Sequence, residues 1–183
     1  YNARSARLYT DLSHLTCDAA ITQDMDAVFR HLSSHNQLPQ LQRLVMAPFH
    51  LHSRMLELVG KAASAAAKGA DARIVLKMNA LTDEALIGAL IEAGRKGVQI
   101  DLIVRGACQL PAQRQGWTDN IRVRSVIGRF LEHSRVFYFA WGKHEELYLS
   151  SADWMSRNML RRVELAWPVT NRKLRQRVID ECL

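Results

Sequence analysis

The chain has 183 residues, 48% of them hydrophobic, enough for one well-buried domain with room for part of a second. No apolar run approaches the ~20 residues a bilayer-crossing helix needs, and three widely spaced cysteines (Cys17, Cys108, Cys182) indicate neither a disulfide framework nor a zinc set, so reduced thiols in the cytoplasm are expected. The balance of 25 Lys and Arg against 18 Asp and Glu, a net +7, favours a polyanionic partner without telling nucleic acid from any other polyphosphate.

The chain opens on Tyr1-Asn2-Ala3-Arg4, with neither a methionine nor a charged-then-apolar leader, and is expected to be cut from something longer. Residues 1–23 show no sustained period. Asp24 to Ser33 place apolar residues at helical spacing behind an acidic start, and Ser34 to Gln40 read as a loop. Leu44 to Ala47, an Ala-rich stretch from Ser53 to Lys68 stopped by Gly69, and Ile74 to Met78 then form a strand, helix, strand unit. Thr82 is the expected cap of a helix running to about Lys96, with Gly97 after it and the apolar strand Ile100 to Val104 beyond. Helices separating short apolar strands predict a parallel sheet buried on both faces.

After Arg105 an irregular segment leads to a strand at Ile121 to Val126. Arg135 to Phe139 and Glu146 to Ser150 flank Trp141-Gly142-Lys143 as a hairpin, and Arg162 to Trp167 adds a strand. Asn171 caps a basic helix that reaches Leu183 without a stop signal.

The densest chemistry lies in Leu131-Glu132-His133-Ser134-Arg135-Val136 and, past the hairpin, in Ser150-Ser151-Ala152-Asp153-Trp154-Met155-Ser156-Arg157-Asn158. Residues two apart on a strand share a face, so His133 and Arg135 are expected in one cleft. An imidazole that exchanges protons near neutrality beside a permanently charged guanidinium fork suits phosphate chemistry. Hydroxyls and N–H groups of the Ser150-Ser151 turn would complete an anion cradle. The same spacing also fits a strand-start histidine followed by a plain turn, and spacing does not decide between them. His50 and His52 lack a Cys or acidic partner at metal-ligand spacing. The four tryptophans do not interleave with basic residues, so no stacking platform for nucleic acid is expected.

Together with Arg7-Leu8-Tyr9-Thr10-Asp11 and Leu102-Ile103-Val104-Arg105-Gly106, these motifs resemble, in the same order and over essentially the whole chain, the C-terminal half of the polyphosphate kinase family. The resemblance implies an α/β, phospholipase-D-like fold with a mixed, largely parallel sheet flanked by helices. Residues 1–41 would be the tail of a preceding domain of this kind, and 42–183 a C-terminal catalytic domain incomplete at its C-terminus.

The activity implied is reversible transfer of the terminal phosphoryl of ATP to inorganic polyphosphate through a phosphohistidine, with magnesium as cofactor. ATP, ADP and polyphosphate would be the partners of a homo-oligomeric, cytoplasmic parent, its association with a membrane surface being left open. His133 would be the acid–base histidine and the nucleophilic histidine would lie upstream, so the chain by itself is expected to be inactive. Catalysis would rest on His133 and Arg135. Nucleotide and phosphate would meet Tyr9, Arg105, His133, Ser151 and Asn158, and no metal ligands are assigned. Arg135 stands where the phospholipase D pattern has lysine, which fits anion clamping better than proton exchange. Two other readings stay open: a phospholipase-D-like hydrolase or nuclease, and a non-catalytic polyanion-binding module.

Overall fold

The computed structural model describes residues 2–34 and 40–183, so most of the loop expected at Ser34 to Gln40 lies outside the described residues. A short 3-10 turn, Ser5–Arg7, leads to the two-residue strand β1 (Tyr9–Thr10) and helix α1 (Ala19–Ser34). This helix begins before Asp24 because Asp18 caps it, its carboxylate accepting the N–H groups of Ala20 and Ile21. Asp24 has a different task. Buried inside α1, its carboxylate accepts the N–H groups of Gln42, Arg43 and Leu44, tying the helix to the entry of β2 (Val45–Ala47).

The remaining elements are α2 (Leu51–Ala66), β3 (Ala72–Met78), α3 (Glu84–Arg95), β4 (Gln99–Val104), β5 (Ile121–Arg124), β6 (Leu131–Glu132), β7 (Arg135–Trp141), β8 (His144–Ser150), α4 (Ser156–Leu160), β9 (Glu164–Pro168) and α5 (Arg172–Cys182). Helix α3 starts on Asp83 rather than Thr82: the Asp83 carboxylate accepts the Leu86 N–H, while the N–H groups of both residues go to the Trp154 carbonyl. Gly69 and Gly97, the expected stops after α2 and α3, adopt φ of +82° and +102°, the left-handed region that glycine enters without steric cost. Asn171 caps α5 as expected, accepting from the N–H groups of Lys173 and Leu174.

Seven strands form one sheet in the order β2-β9-β8-β7-β3-β4-β5, while β1 and β6 make a separate two-stranded parallel ladder. The α/β class and the mixed sheet are as expected, but the balance within the sheet is not. Parallel pairing is confined to β3–β4 and β4–β5, and the pairings from β2 across to β3 are antiparallel. The strands joined by α2 run in the same direction, but β9, β8 and β7 lie between them. Periodicity identifies a strand and its connection, but not the neighbour it pairs with.

Alternation along β7 shows how the core is layered. Phe137 and Phe139 face the large cluster built with α2 and α3, including Leu51, Met55, Leu58, Leu86, Leu90 and Trp154. Val136 and Tyr138 face the opposite side, where Leu147, Leu149 and Val169 meet Val178 and Ile179 of α5. Each fully buried Leu or Phe contributes about 1.5–3 kcal/mol. Arg135 thus opens β7, Arg105 follows β4, and His133 sits in the link between β6 and β7, all beside strands packed in this core.

Candidate active site

The parallel ladder brings the N-terminal segment onto the histidine. The N–H of Leu131 donates to the Leu8 carbonyl at 2.7 Å and that of His133 to the Thr10 carbonyl at 3.0 Å. This register sets the Tyr9 ring edge-on to the His133 imidazole, with centroids 5.1 Å apart, and brings Asp11 Oδ2 to 2.8 Å from His133 Nδ1. An ionised carboxylate can only accept, so Nδ1 is the donor in that bond.

Arg135 closes the other side. Its Nη1 donates to the His133 carbonyl at 3.0 Å and lies 3.2 Å from Nε2 and 3.4 Å from Nδ1. A position nearly equidistant from both ring nitrogens is over the ring, since the in-plane alternative would press against the carbon between them. Nε and Nη2 bind the two oxygens of Asp153 at 3.2 Å each, a fork-to-fork pair that fixes the guanidinium plane. Asp153 Oδ1 also takes the Asn79 N–H at 2.7 Å, locking the pair to the end of β3.

His133 and Arg135 line one cleft, as expected, together with Asp11, Leu12, Ser150, Ser151 and Trp167; its volume is about 300 Å³. Arg105 comes in from the end of β4, where the Gly106 N–H donates to the Asn79 carbonyl at 2.8 Å. A Cβ on Gly106 would meet that carbonyl oxygen at 3.0 Å, so glycine allows the close approach. Arg105 Nη1 donates to the Glu132 carbonyl at 2.8 Å, one residue before the histidine.

Ser151 and Asn158 are gathered by a residue that sequence reasoning passed over. Glu164 accepts Ser151 Oγ at 2.5 Å and Asn158 Nδ2 at 2.7 Å. Asn158 is buried behind the cleft rather than lining it. The cradle of N–H groups expected at the Ser150-Ser151 turn is not formed: the Ser151 N–H donates to the Leu165 carbonyl and the Ala152 N–H to Ser150 Oγ. Sheet pairing with β9 and a local turn consume them. Part of the segment after Asp153 is helix α4, whose Ser156 hydroxyl donates to Asp83. His52 also binds Asp83, at 3.0 Å, a partner 31 residues away that local spacing could not reveal.

Residues 44–182 match the family described as Polyphosphate kinase C-terminal domain 2, and residues 1–38 match Polyphosphate kinase C-terminal domain 1. The chain belongs to the polyphosphate kinase family. A polyphosphate kinase of Paraburkholderia phytofirmans is 50% identical over all 183 residues, and the chain spans 27% of that relative's length. The crystal structure of a polyphosphate kinase from Porphyromonas gingivalis superposes with a TM-score of 0.86 at 37% identity, covering 90% of this chain and 25% of that one. Nuc from Salmonella typhimurium, a phospholipase D family member, gives a TM-score of 0.50 at 13% identity over 75% of this chain and 88% of its own, which shows a shared fold. The C-terminal region of a polyphosphate kinase is therefore built here on a phospholipase-D-like α/β scaffold.

Among the described residues no three His, Cys, Asp or Glu side chains gather as a metal cradle. The carboxylates of the site are engaged by His133, by Arg135 and by Ser151 with Asn158. The side chains present here do not fit a magnesium site of their own.

Proposed function

We propose that this chain is the part of an ATP:polyphosphate phosphotransferase that supplies the acid–base histidine, His133, to a phosphohistidine mechanism. The observation that carries the reading is the clamped imidazole, with Asp11 holding Nδ1 and Arg135 lying over the ring beside a cleft. By resemblance, the phosphoryl-accepting histidine belongs to the upstream part of the longer enzyme. In that scheme the upstream imidazole displaces ADP from the terminal phosphorus of ATP, and the end of a polyphosphate chain then displaces the imidazole; the reverse sequence regenerates ATP.

His133 Nε2 would hand a proton to, or take one from, the oxygen that leaves or attacks. Arg135 and Arg105 would hold the equatorial phosphoryl oxygens, whose charge a loose transition state spreads. Removing one such contact costs roughly 2–4 kcal/mol of transition-state stabilisation. Tyr9 would lie beside the nucleotide, while Ser151 would meet phosphate at the cleft wall, with Asn158 bound to the same Glu164 behind it. Residues 1–41 are taken as the tail of the preceding domain and 42–183 as the C-terminal catalytic domain. The parent would work in the cytoplasm as a homo-oligomer on ATP, ADP and polyphosphate, and magnesium would belong with the substrate phosphates. No helix among the described residues is long and apolar enough to cross a membrane.

The test is polymer synthesis by a full-length enzyme containing this chain. His133→Ala is expected to abolish conversion of ATP to polyphosphate while leaving the protein folded, as judged by its melting temperature. Intact turnover would point to a polyanion-binding module, and hydrolysis of phosphodiesters without polymer formation would point to the hydrolase reading. The purified 183-residue chain is expected to synthesise no polymer.

A further inference from the structure

Lys77 is the one lysine among the buried charged residues, and the chemistry proposed above does not use it. It sits in the apolar run of β3 with 7% of its surface exposed, and its Nζ binds Glu132 Oε2 at 2.7 Å. Cys182 at the end of α5 is within electrostatic reach of Lys77 and Glu132, and burial pushes its thiol up. An ammonium ion in such a place is costly unless it is paired. Glu132 is well placed to return the favour: its carboxyl is held below the usual carboxylate range, chiefly by the hydrogen bond from Lys77.

Glu132 is also the junction on which the site hangs. Its carbonyl receives Arg105 Nη1, its Cα pairs with Thr10 in the β1–β6 ladder, and the next residue is His133, whose N–H binds Thr10. Lys77 touches neither the cleft nor its polar groups. Yet it grips the side chain of the residue that holds one cationic group by its carbonyl and presents the imidazole by its peptide bond. Lys77 thus ties the Glu132 side chain directly to β3 of the seven-stranded sheet.

We propose that Lys77 is a positioning residue for phosphoryl transfer: by anchoring Glu132 from β3 it sets the placement of both Arg105 and His133. The inference rests on the functional reading above. A displacement near 1 Å in such a constellation costs rate far more than binding, on the order of 10²-fold at the extreme.

The experiment compares Lys77→Met, Glu132→Gln and the double substitution in the full-length enzyme, with His133→Ala as reference. Polyphosphate synthesis is followed as kcat and as KM for ATP, together with the melting temperature. Each single substitution is expected to lower kcat about tenfold or more with KM changed less than about threefold. The double variant is expected to fall to the same level rather than to the product of the two, because one anchor has been lost, not two functions. Should Lys77→Met not fold, the double variant decides, since removing both charges spares the cost of one buried alone. A folded Lys77→Met or double variant with wild-type kcat, or losses that multiply, overturns the proposal. If His133→Ala itself retains turnover, the reading of the site fails rather than this inference.

Discussion

Asp153 spends both carboxylate oxygens on the Arg135 fork and one of them also on the Asn79 N–H, so it sets the plane of a guanidinium that lies over the His133 ring. Asp153→Asn would replace one acceptor oxygen by an amide that repels the guanidinium N–H groups. A drop in kcat/KM of roughly 30-fold to 10³-fold is expected in steady-state assays of the full-length enzyme, matching about 2–4 kcal/mol. Arg135→Lys retains the charge but cannot form the fork, and should lose nearly as much. His133 and Arg135 were legible as neighbours two apart, and the resemblance of the flanking motifs carried their meaning. Their carboxylate partners were not: Asp11 is 122 residues from His133 and reads locally as the end of a short motif, and Asp153 reads as a turn residue. Lys77 left a fainter trace, a lone charge inside Ile74-Val75-Leu76-Lys77-Met78.

At the scale of elements, two aspartates do work that helix-start rules assign differently. Asp24, read as the acidic start of a helix, is instead a mid-helix acceptor for three successive N–H groups at the entry of β2. Asp24→Ala leaves those donors without their acceptor and should cost about 1–3 kcal/mol, seen as a lower urea midpoint. Asp83 joins α2, α3 and α4 through His52, the Leu86 N–H and Ser156. Burial opposes its ionisation, but these hydrogen bonds together hold its carboxyl below the usual range. The unfolded chain therefore binds more protons at this group than the native one between the two values. Its contribution is present above ~4, the ordinary range of an aspartate, and is lost as pH falls through the lower folded value. Asp83→Asn should flatten the acid limb of stability against pH, measured by urea unfolding between about pH 2 and 5. Helices α2, α3 and α5 were legible because amphipathic spacing and stop or cap residues agree. The five-residue α4 was not, because so short a helix has no period to read.

Across the whole molecule, the strands were legible individually and their order was not. The pattern from Leu44 to Met78 is that of a βαβ unit, yet β2 pairs with β9 at the far edge, more than a hundred residues along the chain. Nothing local records such a partner, because β9, β8 and β7 stand between β2 and the strand that follows it in sequence. The chain's excess positive charge likewise says nothing of where each cation sits: Arg135 lines the cleft and Arg105 reaches the Glu132 carbonyl, while Arg73 and Arg122 share Asp101 on an exposed stretch of sheet where such pairs contribute about 0–1 kcal/mol.

The two-stranded ladder of β1 and β6 has a further consequence for how the molecule fails. Asp11 reaches His133 on a strand of two residues that pairs with nothing in the large sheet. In the full-length enzyme, a cut between Leu12 and α1 would leave Asp11 held to the site by the short ladder and by the packing of Leu12 against the Val136–Leu149 cluster, with the seven strands and their helices in place. On the proposed function, the expected outcome is lowered polymer synthesis at a nearly unchanged melting temperature, so a thermal-shift screen would pass such a protein as sound.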